Sequence, residues 1–257
     1  MLHGLIDTHA HMDDPCFQDS IETVLLSERQ KGVERIITSG SELPSSIRSV
    51  ALAERFDMVC ASVGVYPNEA ANAPAGYLQT LRDLASSDKV VAIGEIGMDY
   101  GFDPLHYDRD AQLRCFREQL ELAKDTGLPV VIHDRCADED VLGVLREYRP
   151  QGVIHRIFSE LQYARAFWEM GLYLGIGPQV TYPGSQKLVD TVREMPMNCL
   201  VLETDAPFLP PAHLQGQPAL PSMTAFVAEK IAEIRGDITP QEVVDTASAN
   251  SRRLFKL

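Results

Sequence analysis

Leu128-Pro129-Val130-Val131-Ile132-His133 is an apolar run that stops on an imidazole. A strand with one face in water alternates polar and apolar residues. A run that is apolar at every position is expected of a parallel strand buried on both faces. The residues upstream show how it begins. Leu113, Phe116, Leu120 and Ala123 fall at i, i+3, i+7 and i+10, one face of a helix, and Gly127 stops that helix just before the strand. The same unit recurs along the chain. Apolar, β-branched runs lie at 4–8, 33–39, 58–65, 90–97, 129–133, 152–155, 172–176 and 200–205. Helix signals separate them. Ser159 with Gln162 three residues on marks one start. Thr239-Pro240-Gln241-Glu242 is a capping box that opens a final helix through Phe255. Eight alternations without a linker predict an α/β chain whose parallel sheet closes into a TIM-type (β/α)8 barrel. The 257 residues match the usual length of one such barrel, roughly 250 residues, so 1–257 reads as a single domain.

Hydrophobic residues make up 45% of the chain, which excludes disorder as its overall state. Lysine and arginine number 23 against 37 acids, a formal net charge of −14. That balance argues against a standing basic patch for nucleic acid. It leaves room for an enzyme that touches a phosphate briefly and supplies positive charge through metal ions. The start, Met-Leu-His-Gly-Leu-Ile-Asp, has no basic segment followed by an apolar run, and no stretch approaches the ~18 residues of a membrane span. Cys16, Cys60, Cys115, Cys136 and Cys199 are odd in number and contain no Cys-x-x-Cys pair. They read as reduced, mostly buried thiols of a cytoplasmic protein without a membrane partner. The proline-rich stretch Pro207–Pro221 is long for a βα loop and is a candidate lid or substrate loop.

The chemistry collects at strand ends. His9-Ala10-His11 closes the first run, and residues two apart on a strand point the same way. A lone His-x-His is coincidence about as often as it is a metal site. Here Glu95 ends the fourth run, His133 the fifth, His155 the sixth and Asp205 the eighth. Buried carboxylates and imidazoles need partners, and the partners available are one another. Four histidines and two acids at five strand ends are better explained as metal ligands. His3, His106 and His213 lack that placement and read as loop or surface residues. Six ligands fit two ions better than one, with a carboxylate able to bridge ions roughly 3.5–4 Å apart. Among lesser candidates, Arg135 reads as a phosphate contact in preference to a surface salt bridge. Glu203 shares a face with Asp205 and is either a residue that orients a ligand or half of a structural ion pair. Asp99 caps the loop after Glu95 without a catalytic role, and Ser159 is a helix cap before it is a nucleophile. No Gly-x-Ser-x-Gly elbow or P-loop is present.

Taken together, these segments resemble the TatD family of metal-dependent hydrolases: Asp7-Thr8-His9-Ala10-His11, Gly94-Glu95-Ile96-Gly97-Met98-Asp99-Tyr100, Gly152-Val153-Ile154-His155, Glu203-Thr204-Asp205-Ala206-Pro207 and Asn250-Ser251-Arg252-Arg253-Leu254-Phe255. Thr181-Tyr182-Pro183 and Gln215-Gly216-Gln217-Pro218 suggest its YjjV-like branch. The resemblance implies an amidohydrolase-superfamily barrel, a binuclear divalent-metal site and deoxyribonuclease or phosphodiesterase activity. It implies that His9, His11 and Asp205 hold one ion, that His133 and His155 hold the other, and that Glu95 bridges them. Asp205 would also take a proton from the attacking water. Magnesium, manganese or zinc would suit such ligands. The substrate side departs from the family pattern. Tyr66 stands where a histidine is usual, and it could still hydrogen-bond a phosphate. Arg156-Ile157-Phe158-Ser159 replaces Cys-Phe-Ser-Gly, and Ala219-Leu220-Pro221 alters the proline-rich loop. Two divalent ions would raise the formal charge from −14 to −10. The expected partner is a DNA end or small phosphodiester in transient contact, with no stable nucleic-acid complex. Two rivals remain: another ester hydrolase, such as a D-aminoacyl-tRNA deacylase, and a metal-binding barrel without turnover. The intact Asp205 argues against the latter.

Overall fold

A computed structural model of the chain describes residues 1–101 and 108–257. Eight parallel strands form one sheet in sequence order: β1 (Leu5–Ala10), β2 (Val33–Ser39), β3 (Val59–Val63), β4 (Val90–Asp99), β5 (Val130–Arg135), β6 (Gly152–Ile154), β7 (Tyr173–Ile176) and β8 (Leu200–Leu202). Helices follow the strands, among them Ile21–Gln30, Leu43–Arg55, Arg109–Thr126 and Asp138–Tyr148, and Thr224–Arg235 and Pro240–Phe255 follow β8. The order of the strands is the one expected of a right-handed βα progression around a TIM barrel.

The continuously apolar runs are buried as their composition requires. All six residues of β1 and all ten of β4 are buried. Period two sorts them into an inner and an outer layer. Ile37, Val91, Val131, Val153 and Val201 pack together as one cluster, with Leu254 and Phe255 of the last helix against it. Val131, Val153 and Val201 stand two residues before His133, His155 and Glu203. The polar residues therefore share the inner face, one step nearer the C-terminal mouth.

The seam between β8 and β1 closes the sheet. Asp205 N donates to His9 O (2.9 Å), and His11 N donates to Ala206 O (2.7 Å). Below these bonds, Thr8 Oγ1 donates to Leu202 O (3.0 Å). Asp7, fully buried, accepts from Thr204 N (3.0 Å), Thr204 Oγ1 (2.5 Å) and His9 N (3.2 Å). Burial holds its carboxyl well above the ordinary carboxylate range despite those donors. Asn250 on the last helix clamps the entry to β8 by donating to Met197 O and Leu200 O, both at 2.8 Å.

Local signals are realised where backbone chemistry alone decides. Gly127 adopts φ +70 at the end of Arg109–Thr126. The Thr239–Glu242 capping box forms in both directions. Ser159 is not a helix cap. The helix starts at Leu161, and Tyr163 N and Ala164 N bond back to the Glu160 carbonyl, so Ser159 lies one residue too early to reach them. The five cysteines are free, as expected, but only Cys115 and Cys199 are buried. Cys16 sits in the first turn of a short surface helix, and Cys136 occupies a left-handed turn after β5; both are exposed. Among the described residues, no helix is long and apolar enough to cross a membrane.

Asp7→Ala strands two backbone donors and one hydroxyl at the seam. It is expected to lower stability by about 2–4 kcal/mol in urea unfolding.

Candidate metal centre

His9, His11, Glu95, His133, His155 and Asp205 meet in one cluster at the barrel mouth, although Glu95 and His133 do not end their strands: β4 continues to Asp99 and β5 to Arg135. His9, Glu95, His133, His155 and Asp205 are buried, and His11 is nearly so. Glu95 lies between two imidazole pairs. Its Oε1 is 2.7 Å from His133 Nδ1 and 2.9 Å from His155 Nε2. Its Oε2 is 3.5 Å from His9 Nε2 and 4.0 Å from His11 Nε2. Within each pair the nitrogens are also close: 3.2 Å between His9 and His11, 3.0 Å between His133 and His155. Asp205 Oδ1 stands 3.3 Å from His11 Nε2 and 3.7 Å from His9 Nε2.

The far side of each ring is held by a neighbour. His11 Nδ1 lies 3.0 Å from the Ser39 carbonyl oxygen. A carbonyl can only accept, so Nδ1 carries a proton and Nε2 turns to the site. Ser39 Oγ sits 3.2 Å from His9 Nδ1 and accepts from Ser62 Oγ (3.0 Å). His133 Nε2 lies 3.2 Å from Asp99 Oδ2, which leaves Nδ1 for the cluster. His155 stacks on His9 with ring centroids 3.9 Å apart.

Charge balance follows from burial and mutual contact. Burial pulls His9 below its usual range, and the neighbouring His155 adds to that. Burial also opposes charge on His11 and His155. Asp205 outweighs it at His11, pushed up to about 8, and Glu95 with Glu203 outweighs it at His155, pushed up to about 10. Burial would raise Glu95 and Asp205, but the surrounding imidazoles hold both below the ordinary carboxylate range. Protons and a divalent cation therefore compete for the same nitrogens.

The donor set fits cations. Two groups each bring three ligand atoms within 4.8 Å of one another, His9–His11–Glu95 and Glu95–His133–His155, and they share Glu95. Imidazole and carboxylate suit zinc, manganese or magnesium. Among the described residues, two buried atoms around the cluster, His155 Nδ1 and Glu203 Oε2, have no hydrogen-bond partner. Glu203 occupies space that a side chain on β7 would fill: a Cβ on Gly175 would fall 2.2 Å from Glu203 Oε2. Its Oε1 accepts from Arg156 N (2.5 Å) and is 3.7 Å from His155 Nδ1. That places it behind His155, near the ring but beyond hydrogen-bond reach.

The chain matches known proteins over the whole barrel. A model of the TatD related DNase family matches residues 6–256. The chain belongs to the TatD family. It is therefore a hydrolase of a metal-dependent family. Among TatD relatives, the uncharacterized metal-dependent hydrolase YjjV of Escherichia coli (strain K12) is 35% identical over 262 residues, covering both chains completely. Its crystal structure superposes with a TM-score of 0.92 over the full length of both. A protein named Deoxyribonuclease Tat-D, from Schizosaccharomyces pombe, is 33% identical over 205 residues, 74% of this chain and 64% of its own. An uncharacterized amidohydrolase from Saccharomyces cerevisiae shares the fold at 17% identity, with a TM-score of 0.83 over 99% of this chain and all of that one.

The remaining sequence candidates are placed as follows. Tyr66 borders the cavity beside the cluster; its hydroxyl donates to Asp99 and lies 3.2 Å from His133 Nε2. Arg135 commits its guanidinium to Asp99, Nε at 2.7 Å and Nη2 at 2.6 Å. Asp99 caps its loop, accepting from Gly101 N (2.8 Å), and it also holds His133, Tyr66 and Arg135. The signal for this was in the strand: Glu95, Gly97 and Asp99 lie two apart on one face of β4. Ser39 and Arg156 are further site neighbours that sequence reasoning passed over as functional residues. His3 and His213 are exposed, and His106 lies outside the described residues. Pro207–Pro221 is tied down by Tyr182 Oη to Pro210 O (2.8 Å) and Ala219 N to Pro207 O (2.9 Å), and its Phe208 stands over the mouth, 5.5 Å from His11 between ring centroids.

Asp99→Asn keeps the shape but removes the charge that fixes His133. Calorimetric titration with Mn²⁺ is expected to show affinity ten- to a hundredfold weaker, roughly the cost of losing a partner behind a ligand.

Proposed function

We propose that residues 1–257 act as one barrel that hydrolyses phosphodiester bonds at two divalent cations. His9, His11 and Asp205 would hold one cation, His133 and His155 the other, and Glu95 would bridge. The observation that carries this reading is the division of Glu95: one oxygen faces each imidazole pair. Divalent cations at such a site supply Lewis-acid polarisation of a phosphoryl oxygen and a nucleophile at neutral pH. The chain's own groups move the proton. Asp205 takes a proton from the attacking water as the new oxygen–phosphorus bond forms. The bond to the leaving oxygen breaks, and Asp205 returns the proton to that oxygen, so the products are an alcohol and a phosphomonoester. Glu203 behind His155, and Asp99 behind His133, keep the rings turned to the reaction. Tyr66 forms the wall beside them, and Arg135 holds Asp99 in place.

The cavity over the cluster has a volume of about 300 Å³, and Arg48, Tyr66, Arg156 and Phe208 line it beside His11, Glu95, His133, His155 and Asp205. That size suits a DNA end or small phosphodiester better than a long duplex, and the net charge of −14 favours brief contact. The name carried by the fission-yeast relative supports a nucleic-acid substrate. Free thiols throughout suit a cytoplasmic protein.

Metal analysis of the purified chain should find two divalent cations per chain, and EDTA should abolish cleavage of bis-p-nitrophenyl phosphate. Glu95→Ala and Asp205→Ala should each lower kcat by about a thousandfold or more, the scale of lost proton transfer and electrostatic stabilisation combined. Survival of metal-dependent cleavage in either variant refutes the mechanism. Cleavage of aminoacyl esters, with none of short DNA or the diester, transfers the site to the other ester hydrolases.

A further inference from the structure

We propose that Arg156 is the residue that recognises the substrate's phosphate, leaving Asp205 for the phosphate oxygens when substrate enters. This inference rests on the phosphodiesterase reading and adds to it a specificity residue. Three observations converge on it. The first is position. Asp205 divides its carboxylate as Glu95 does: Oδ1 faces the His9–His11 pair, and Oδ2 accepts from Arg156 Nη1 at 3.1 Å. The guanidinium is thus one carboxylate away from the cluster, on the cavity wall.

The second is unused capacity. A guanidinium has five N–H donors in a planar fork that matches phosphate. Among the described residues, the Asp205 contact is its one side-chain hydrogen bond, and the side chain is 31% exposed. Arg135 differs, because it is bound at two atoms by Asp99. Arg48, on the same wall, also has spare donors, but its partner Asp13 is not part of the cluster, whereas Arg156 is paired to Asp205 itself.

The third is conformation. Arg156 has φ +49, in the left-handed region where glycine is at ease and a long side chain is disfavoured. Its N–H is anchored on Glu203 Oε1, so the root of the side chain is held beside His155. A disfavoured backbone conformation at a cavity wall, anchored by its N–H on Glu203 and carrying a side chain with spare donors, points to a ligand-binding role. The exchange also serves the chemistry. With the guanidinium on phosphate, Asp205 Oδ2 is released at the moment it must accept a proton.

The test measures inorganic phosphate binding calorimetrically to the Mn²⁺-loaded wild type, Arg156→Met, Arg156→Lys and Arg156→Gly, the last suited to the left-handed φ should the methionine variant fail to fold. The dissociation constant is expected to rise about ten- to a hundredfold on loss of the charged fork, with lysine intermediate. KM for bis-p-nitrophenyl phosphate should rise in parallel. A purely structural Arg156 would lower the melting temperature and leave the phosphate constant unchanged; that result overturns the proposal, as does a wild type that does not bind phosphate. If the variants lose phosphate binding while no chain cleaves a diester, the substrate reading fails and the phosphate clamp stands. If the wild type cleaves the diester and the variants bind phosphate as it does, the clamp alone fails.

Discussion

Four imidazole rings close on the two oxygens of Glu95, and that convergence constrains the rest of the barrel. Each of these groups would be costly to bury alone, because water is lost and nothing replaces it. Together they offset one another, with carboxylates holding protons on His11 and His155 and imidazoles holding Glu95 and Asp205 ionised. The balance works only when five strands bring these residues to the same height. The β8–β1 seam sets that height, since the bonds from Asp205 N to His9 O and from His11 N to Ala206 O tie the first and last ligand-bearing segments directly. A sheet left open there would separate Asp205 from His9 and His11.

Around the cluster, neighbouring groups act mainly by removing alternatives. The Ser39 carbonyl leaves His11 one free nitrogen, and Asp99 does the same for His133. Arg135 and Tyr66 spend their donors on Asp99 and so keep that carboxylate charged and still. Glu203 stands behind His155 in the space that Gly175 leaves. Such partners make a site stiff, and stiffness is what positions a reacting group to within a fraction of an ångström.

Much of this was legible in order along the chain. Continuous apolar runs predicted eight buried parallel strands because β-branched residues without polar partners have few other places to go. Gly127 and the Thr239–Glu242 box could be read locally because a left-handed φ and a reciprocal cap depend on residues within one turn. Reading failed where one residue of register mattered: Ser159 has capping chemistry but lies one position early. It failed also for thiol burial, since Cys16 and Cys136 are exposed by the turns they occupy and not by their own polarity.

The sequence by itself determined the strands, their apolar inner layer and the residue types at their ends, since these follow from periodicity and from the cost of burying polar groups. Family motifs added the grouping of ligands. Only the tertiary structure decided which atoms meet. Asp99 and Arg135 lie 36 positions apart, and Arg156 and Asp205 lie 49 apart. No local rule connects such pairs. Barrel closure and strand register bring them within hydrogen-bond reach, and that contact, not residue type, divides the arginine engaged at both ends from the one with donors to spare.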